Sequence, residues 1–150
     1  PTELLAALDD LGTLGRPLHV SEVTLPAPRG GGEGAALQAR VAADLYRLWF
    51  SHPAVHAVTW WNVPDGGAAP GEDTVDSGLL DRDLRPKPAY DALLALVQQR
   101  WRTRGTVTTD PAGRATLRGF HGRYRATAEG TSAVFDLKPG HAGEAVLTLQ

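Results

Sequence analysis

The segment PLHVSEVTLP, residues 17–26, is an apolar stretch with one full carboxylate, Glu22, near its end. A buried carboxylate is costly unless it is paired, hydrogen-bonded or protonated, and this run holds no Lys or Arg to neutralise it. Glu22 therefore either sits at a strand end that opens to solvent or is buried for a purpose. A second cluster, Trp60, Trp61, Asn62 and Asp65, ends the apolar run AVHAVTWWNV of residues 54–63. Carboxylates beside tryptophans suit carbohydrate chemistry. Sugars offer hydroxyls to Asp and Asn and apolar C–H faces to indole rings, while a pair of acids carries glycosidic cleavage.

The elements that must position these residues alternate in type. Thr2 can cap a helix in which Leu4, Leu5, Leu8 and Leu11 recur at helical spacing, and LGTLGRP ends it. The strand-like LHVSEVTL follows, then the loop PAPRGGGEG. A second helix is expected from Glu33 to Ser51, with Leu37, Val41, Leu45, Leu48 and Trp49 on its apolar stripe and Pro53 as its stop. The strand AVHAVTWWNV comes next. A Gly/Asp/Pro-rich loop from Pro64 to Pro86 then leads to a third helix, with Pro88 in its first turn and Tyr90, Leu93, Leu94, Val97 and Trp101 on its buried face.

Apolar strands alternating with amphipathic helices signal a parallel sheet covered by helices, an α/β architecture. Two parallel strands alone leave both edges unpaired, so an upstream part is expected to complete the sheet. An eight-stranded (β/α) barrel and an open doubly wound sheet are the common completions, and both carry function at the carboxyl ends of strands. Glu22 and the Trp60 to Asp65 cluster lie at such ends. RGGGEG has neither the G-x-G-x-x-G spacing nor the Walker lysine, which weakens a nucleotide reading. From about Arg104 the pattern changes to short alternating segments (TVTTD, RATLRG, GRYRATA, AVFDL, AVLTL) separated by DPAG, AEG and KPGHAG, the pattern of a small antiparallel β module.

Composition bounds the partners. The 150 residues suffice for about one ordinary domain, and 42% hydrophobic with 21% charged is a globular balance. A formal charge of -2 without any block of like charges argues against nucleic acid. No apolar run approaches the roughly 18 residues of a membrane span. The absence of Cys excludes disulfides and thiolate metal sites. The first residue is Pro1 rather than Met and no signal peptide precedes it, so a processed or truncated piece of a longer chain is expected.

The chain resembles the C-terminal part of glycoside hydrolase family 10, the xylanase family. HVSEV matches the seventh-strand pattern, with Ser21 in the usual threonine position and Glu22 in that of the catalytic nucleophile. VTWWNVPDG matches the eighth-strand pattern of a tryptophan followed by an aspartate. GLLDRDLRPKPAYDALLALV looks like the stretch that ends the active-site loop and begins the last barrel helix, and TDPAGRATLRGFHGRY resembles a β module found after the barrel in some bacterial relatives. The resemblance implies the C-terminal portion of a TIM (β/α)8 barrel over residues 1–103 and a small β-sandwich-like accessory module over 104–150.

It also implies retaining hydrolysis of β-1,4 bonds in xylan or a related plant polysaccharide, with no cofactor. Glu22 would be the nucleophile, and Trp61, Trp60, Asn62 and Asp65 would contact substrate. The second carboxyl group, about 5 to 5.5 Å away in retaining enzymes, belongs to a strand this chain does not contain. The fragment alone is therefore expected to be inactive, the upstream barrel segment is its expected partner, and an extracellular or periplasmic location follows from the family. The pattern departs from the family at Ser21, at Val23 and Thr24, where an apolar residue and then an aspartate are usual, and at GGAAPG, which replaces a second tryptophan. A relative with altered specificity, a non-catalytic carbohydrate-binding domain and a purely structural domain are the alternatives.

Several residues have simpler readings. Trp60 and Trp61 alternate on a strand, so one should face the barrel interior and the other the helical layer. Trp61 aligns better with the sugar-contacting position. Asp65 could start a turn before Gly66. His19 falls on the strand face opposite Glu22 by simple alternation, and His52 sits at a helix end; both read as packing or capping residues. GEDTVDSG and DRD lack the D-x-[DN]-x-[DN]-G spacing of a calcium loop, and no metal is expected.

Overall fold

A computed structural model describes residues 2–28, 31–69, 72, 76–140, 143, 145, 146 and 148. The element order is α1 (Thr2–Gly12), β1 (Leu18–Val23), α2 (Gly31–Ser51), β2 (Val55–Trp60), α3 (Pro88–Ala95) continued by a π-helical turn (Leu96–Arg100), β3 (Gly122–Ala128) and β4 (Thr131–Leu137). The chain divides into two compact units, Pro1–Gln99 and Arg100–Gln150.

In the first unit β1 and β2 pair in parallel, with Leu18 opposite Val55, Val20 opposite Val58 and Val23 opposite Trp60. The helix between them is the crossover that parallel pairing requires. Its buried face differs from the expected stripe by about one residue. Gln38, Ala39, Ala42, Ala43, Tyr46 and Trp49 are buried, whereas Leu37 and Val41 are exposed. The helix is apolar well beyond one stripe, and its small residues mark the side that approaches α3, where Ala42 and Ala89 are both fully buried. The same shift affects α3 and the π-helical turn after it, which bury Ala89, Leu93 and Leu96 and leave Leu94 and Val97 exposed. Pro88 occupies the first turn of α3 as expected, after an extended Lys87.

The aromatic core joins the two layers. Tyr46 packs edge-on against Trp49 at 5.6 Å and tilted against Trp60 at 6.4 Å, so α2 meets the end of β2 through three rings. Burial raises the Tyr46 phenol above its ordinary value of 10.0.

The second unit holds one two-stranded antiparallel sheet among the described residues, in place of the five short strands expected from the sequence. GRYRATA and AVFDL form it, joined by Glu129 and Gly130, both at positive φ (46° and 81°), as a two-residue hairpin of right-handed twist requires. The DPAG turn also forms: Asp110 Oδ1 accepts from the Ala112 and Arg114 N–H groups at 2.9 and 2.8 Å. Its flanks, TVTTD and RATLRG, have no strand assignment, because beyond the Asp110 and Arg114 pair no ladder bond joins them. AVLTL lies partly outside the described residues.

Candidate active site

The carboxyl ends of β1 and β2 come together at Glu22 and Trp61. Between Val20 and Val23 β1 advances three residues while β2 advances two, from Val58 to Trp60. The extra residue is a bulge, a device that re-aims side chains and is over-represented beside active sites. Ser21 and Glu22 occupy it and are both exposed. The simple alternation that put His19 on the face opposite Glu22 is broken at this point. His19 is itself exposed rather than packed, and its Nε2 shares a 2.8 Å hydrogen bond with Thr59 Oγ1.

Directly after the bulge, the Trp61 N–H donates to the Val23 carbonyl at 3.0 Å. This bond extends the strand pairing by one step and fixes Trp61 next to the Ser21 and Glu22 turn. Trp61 is 45% exposed. Its indole N–H donates to Glu72 Oε2 at 3.1 Å, and the same oxygen accepts from the Ala69 N–H at 3.1 Å, so the ring is steadied at its polar edge. An exposed Glu22 and a half-exposed Trp61 thus both lie at the carboxyl end of the sheet.

The other members of the cluster face inward. Trp60 is 9% exposed, and its N–H is shared between the carbonyls of Asn62 (3.0 Å) and Ser77 (3.2 Å). Asn62 is buried and donates its side-chain amide to Ser77 Oγ at 3.2 Å. Asp65 Oδ1 accepts from Lys87 Nζ at 2.8 Å and from the Gly78 N–H at 2.7 Å. The Lys87 ammonium also reaches the Asp76 carbonyl at 2.8 Å. Of the four residues expected to touch sugar, three therefore direct their polar groups into the loop that carries Trp61.

Three residues that the sequence reading passed over complete this scaffold. Gln38 Nε2 donates to the carbonyls of Leu25 (2.7 Å), Asp76 (3.3 Å) and Gly78 (3.3 Å), tying α2 to the segments that follow both strands. Its signal in the sequence is an amide inside an apolar helical stripe. Lys87 is the buried counter-charge of Asp65. Gly78 is needed sterically, since a Cβ there would collide with the backbone of Pro64 and Asp65. His52 is buried: Nδ1 accepts from the Ala54 N–H at 3.3 Å, which leaves Nε2 to donate to Asp9 Oδ1 at 3.2 Å, a structural link from α1 to the turn before β2. Among the described residues no group of three or more His, Asp or Glu side chains could hold a metal ion, and no helix is long and apolar enough to cross a membrane.

The parallel strands and their covering helices have counterparts in solved structures. Xylanase 10B from Thermotoga petrophila, solved with xylobiose, superposes with a TM-score of 0.53 at 23% identity, over 62% of this chain and 30% of its own. TsXylA, an intracellular xylanase from Thermoanaerobacterium saccharolyticum, gives a TM-score of 0.51 at 27% identity, over 59% of this chain and 28% of its own. The fold is that of part of a glycoside hydrolase barrel. In sequence, 124 residues are 28% identical to anti-sigma-I factor RsgI6 of Acetivibrio thermocellus, covering 83% of this chain and 15% of that protein. No protein-family model matches. The chain therefore spans less than a third of the xylanases it superposes on, and a smaller share of the anti-sigma factor.

Proposed function

We propose that these residues form the closing part of a retaining glycoside hydrolase that cleaves β-1,4 bonds in xylan or a related plant polysaccharide. Glu22 is its nucleophile and Trp61 its sugar-stacking platform. The observation that carries this reading is the bulged, exposed Glu22 at a strand end, hydrogen-bonded through its neighbour Val23 to the half-exposed Trp61. In the reaction the Glu22 carboxylate attacks the anomeric carbon while a second carboxyl group protonates the leaving oxygen. Water then attacks the glycosyl-enzyme and gives its proton to that same second group. The second group comes from another strand of the complete barrel, so the upstream segment is the obligatory partner. Trp60, Asn62 and Asp65 serve by holding the loop that carries Trp61. The C-terminal unit is an accessory module, and the polymeric substrate argues for an extracellular or periplasmic protein.

Glu22→Gln in the complete protein removes hydrolysis of xylo-oligosaccharides and leaves the far-ultraviolet circular dichroism unchanged. A 2-deoxy-2-fluoro-xylobioside labels Glu22, detected by peptide mass spectrometry. Wild-type turnover by the Gln variant, or a label on another residue, overturns the assignment.

A second reading has its own observation. The relative matched over most of the chain is an anti-sigma factor, and the residues after Glu22 depart from the xylanase pattern. On this reading the barrel binds glycan without cleaving it. Xylotriose binding by the complete protein with no product after prolonged incubation would favour it, and turnover would end it.

A further inference from the structure

An amide sits in the core of the first unit. Gln38 is 1% exposed, and it shares a stripe of α2 with Gly34 and Ala42, one turn to either side and both buried. A Cβ at Gly34 would collide with the Pro28 carbonyl, so this stripe lies directly against the segment that leaves β1. Burying an amide is costly unless its polar atoms are paired, and an apolar side chain of the same length would fill the space without that cost. What sets Gln38 apart from a packing residue is therefore where its hydrogen bonds go.

Gln38 Nε2 donates to the Leu25 carbonyl at 2.7 Å, just beyond Glu22, and to the Asp76 and Gly78 carbonyls at 3.3 Å each, in the loop that follows Trp61. The two segments also meet directly, since the Ala27 N–H donates to the Asp76 carbonyl at 3.3 Å. That carbonyl takes a further bond from Lys87 Nζ at 2.8 Å. Donors from α2, from the exit of β1 and from the start of α3 thus converge on one loop oxygen. Asp76 itself has a φ of 47°, a left-handed conformation that a non-glycine residue keeps only where its surroundings impose it. Between the two loop carbonyls held by Gln38, the Ser77 carbonyl accepts from the Trp60 indole N–H at 3.2 Å, which carries the brace back to the residue before Trp61.

We propose that Gln38 is a positioning residue that locks the exit of the Glu22 strand to the loop carrying Trp61, so that the carboxylate and the indole engage one glycan in fixed register. It touches no sugar and acts only through the backbone of the two segments. Loop carbonyls outside a helix or sheet ladder must find their donors elsewhere. An amide nitrogen supplies two diverging N–H groups, whereas a thioether of the same length supplies none and a carboxylate only acceptors. The glycan as the ligand rests on the carbohydrate reading of the strand-end site, while the lock itself rests on the hydrogen bonds.

Two variants of the complete protein keep the length of the side chain and remove its donors, Gln38→Met and Gln38→Glu. Leu8→Ala, a cavity in α1 that takes part in none of these bonds, is the control for lost stability. Hydrogen exchange reads the lock without any sugar. In both Gln38 variants the amides of Ala27, bonded to the Asp76 carbonyl, and of Gly78, bonded to Asp65 Oδ1 at 2.7 Å, are expected to exchange at least about tenfold faster than in Leu8→Ala. Kinetics with xylotriose reads the register: KM is expected to rise about fivefold, the equivalent of one hydrogen bond, with kcat little changed, and Leu8→Ala to alter neither. A third measurement decides the matter even where the Gln38 variants fail to fold. In Glu22→Gln, saturating xylotriose is expected to slow exchange at the Ala27 amide, which reaches Trp61 through the lock. Exchange no faster than in the control, an unchanged KM, a KM rise shared by Leu8→Ala, or an Ala27 amide indifferent to bound sugar would each overturn the proposal. If the unsubstituted protein neither binds nor cleaves xylotriose, the carbohydrate reading fails, and faster exchange confined to the Gln38 variants still upholds the lock between the two segments.

Discussion

Trp60 and Trp61 are the same residue type in adjacent positions, and their surroundings give them opposite work. The pleat sends successive side chains to opposite faces, so the sequence alone required one of the pair to be core and the other to face the sheet's far side. The structure assigns burial to Trp60 and exposure to Trp61. Trp60→Ala removes a ring packed on Tyr46 and strands two carbonyls, and is expected to cost about 3–5 kcal/mol in chemical denaturation. Trp61→Ala is expected to leave the denaturation midpoint nearly unchanged and to weaken xylo-oligosaccharide binding about tenfold. The same midpoint shift in both variants would remove the distinction. Asp65 shows where residue-level reading stops. Its carboxylate is claimed by Lys87, 22 positions along the chain, and no local pattern announces a partner at that distance.

At the scale of elements, composition and period were enough to locate all three helices and both parallel strands, because each is bounded by Pro or Gly and carries its own apolar pattern. Which face each helix buries was not legible. In α2, α3 and the π-helical turn the large residues Leu37, Val41, Leu94 and Val97 lie off the buried side, and small alanines on the buried side permit the closest approach. The β1 bulge was equally hidden, since it exists only relative to the register of β2. The loop after β2 hangs on the Asp65 and Lys87 pair, whose side chains are 8% and 10% exposed. Lys87→Met leaves a buried carboxylate without its counter-charge and is expected to destabilise by about 3–5 kcal/mol. Adding Asp65→Asn should recover part of that loss, a coupling that a double-mutant cycle measures. Tyr46 gives the α2 contact a pH signature. Its folded-state pKa is raised, so its contribution is intact below the unfolded value of about 10 and is lost as the pH climbs beyond it. Urea midpoints at pH 9 and 11 should diverge more for the wild type than for Tyr46→Phe, and equal divergence would remove Tyr46 as the cause.

For the molecule as a whole, the deciding feature is a parallel sheet that has two strands among the described residues. Each strand has one edge that no described strand pairs, and Leu37 and Val41 of the covering helix are exposed. Unpaired edges and uncovered apolar helix faces are liabilities that barrels remove by closing. The superposed xylanases have that closure and are more than three times as long as the part this chain matches. Hydrogen exchange followed by mass spectrometry reads the difference directly. The 150-residue chain alone should exchange the amides on the outer edges of β1 and β2 rapidly, whereas the complete protein should protect them by at least about a hundredfold, as expected when open edges become interior ladder bonds. Dye binding to exposed apolar surface should fall in parallel. Equal protection in the two proteins would mean that the two-stranded sheet is stable with open edges. In that case the second carboxyl group would have no neighbouring strand to arrive on, and the nucleophile role of Glu22 would fall with it.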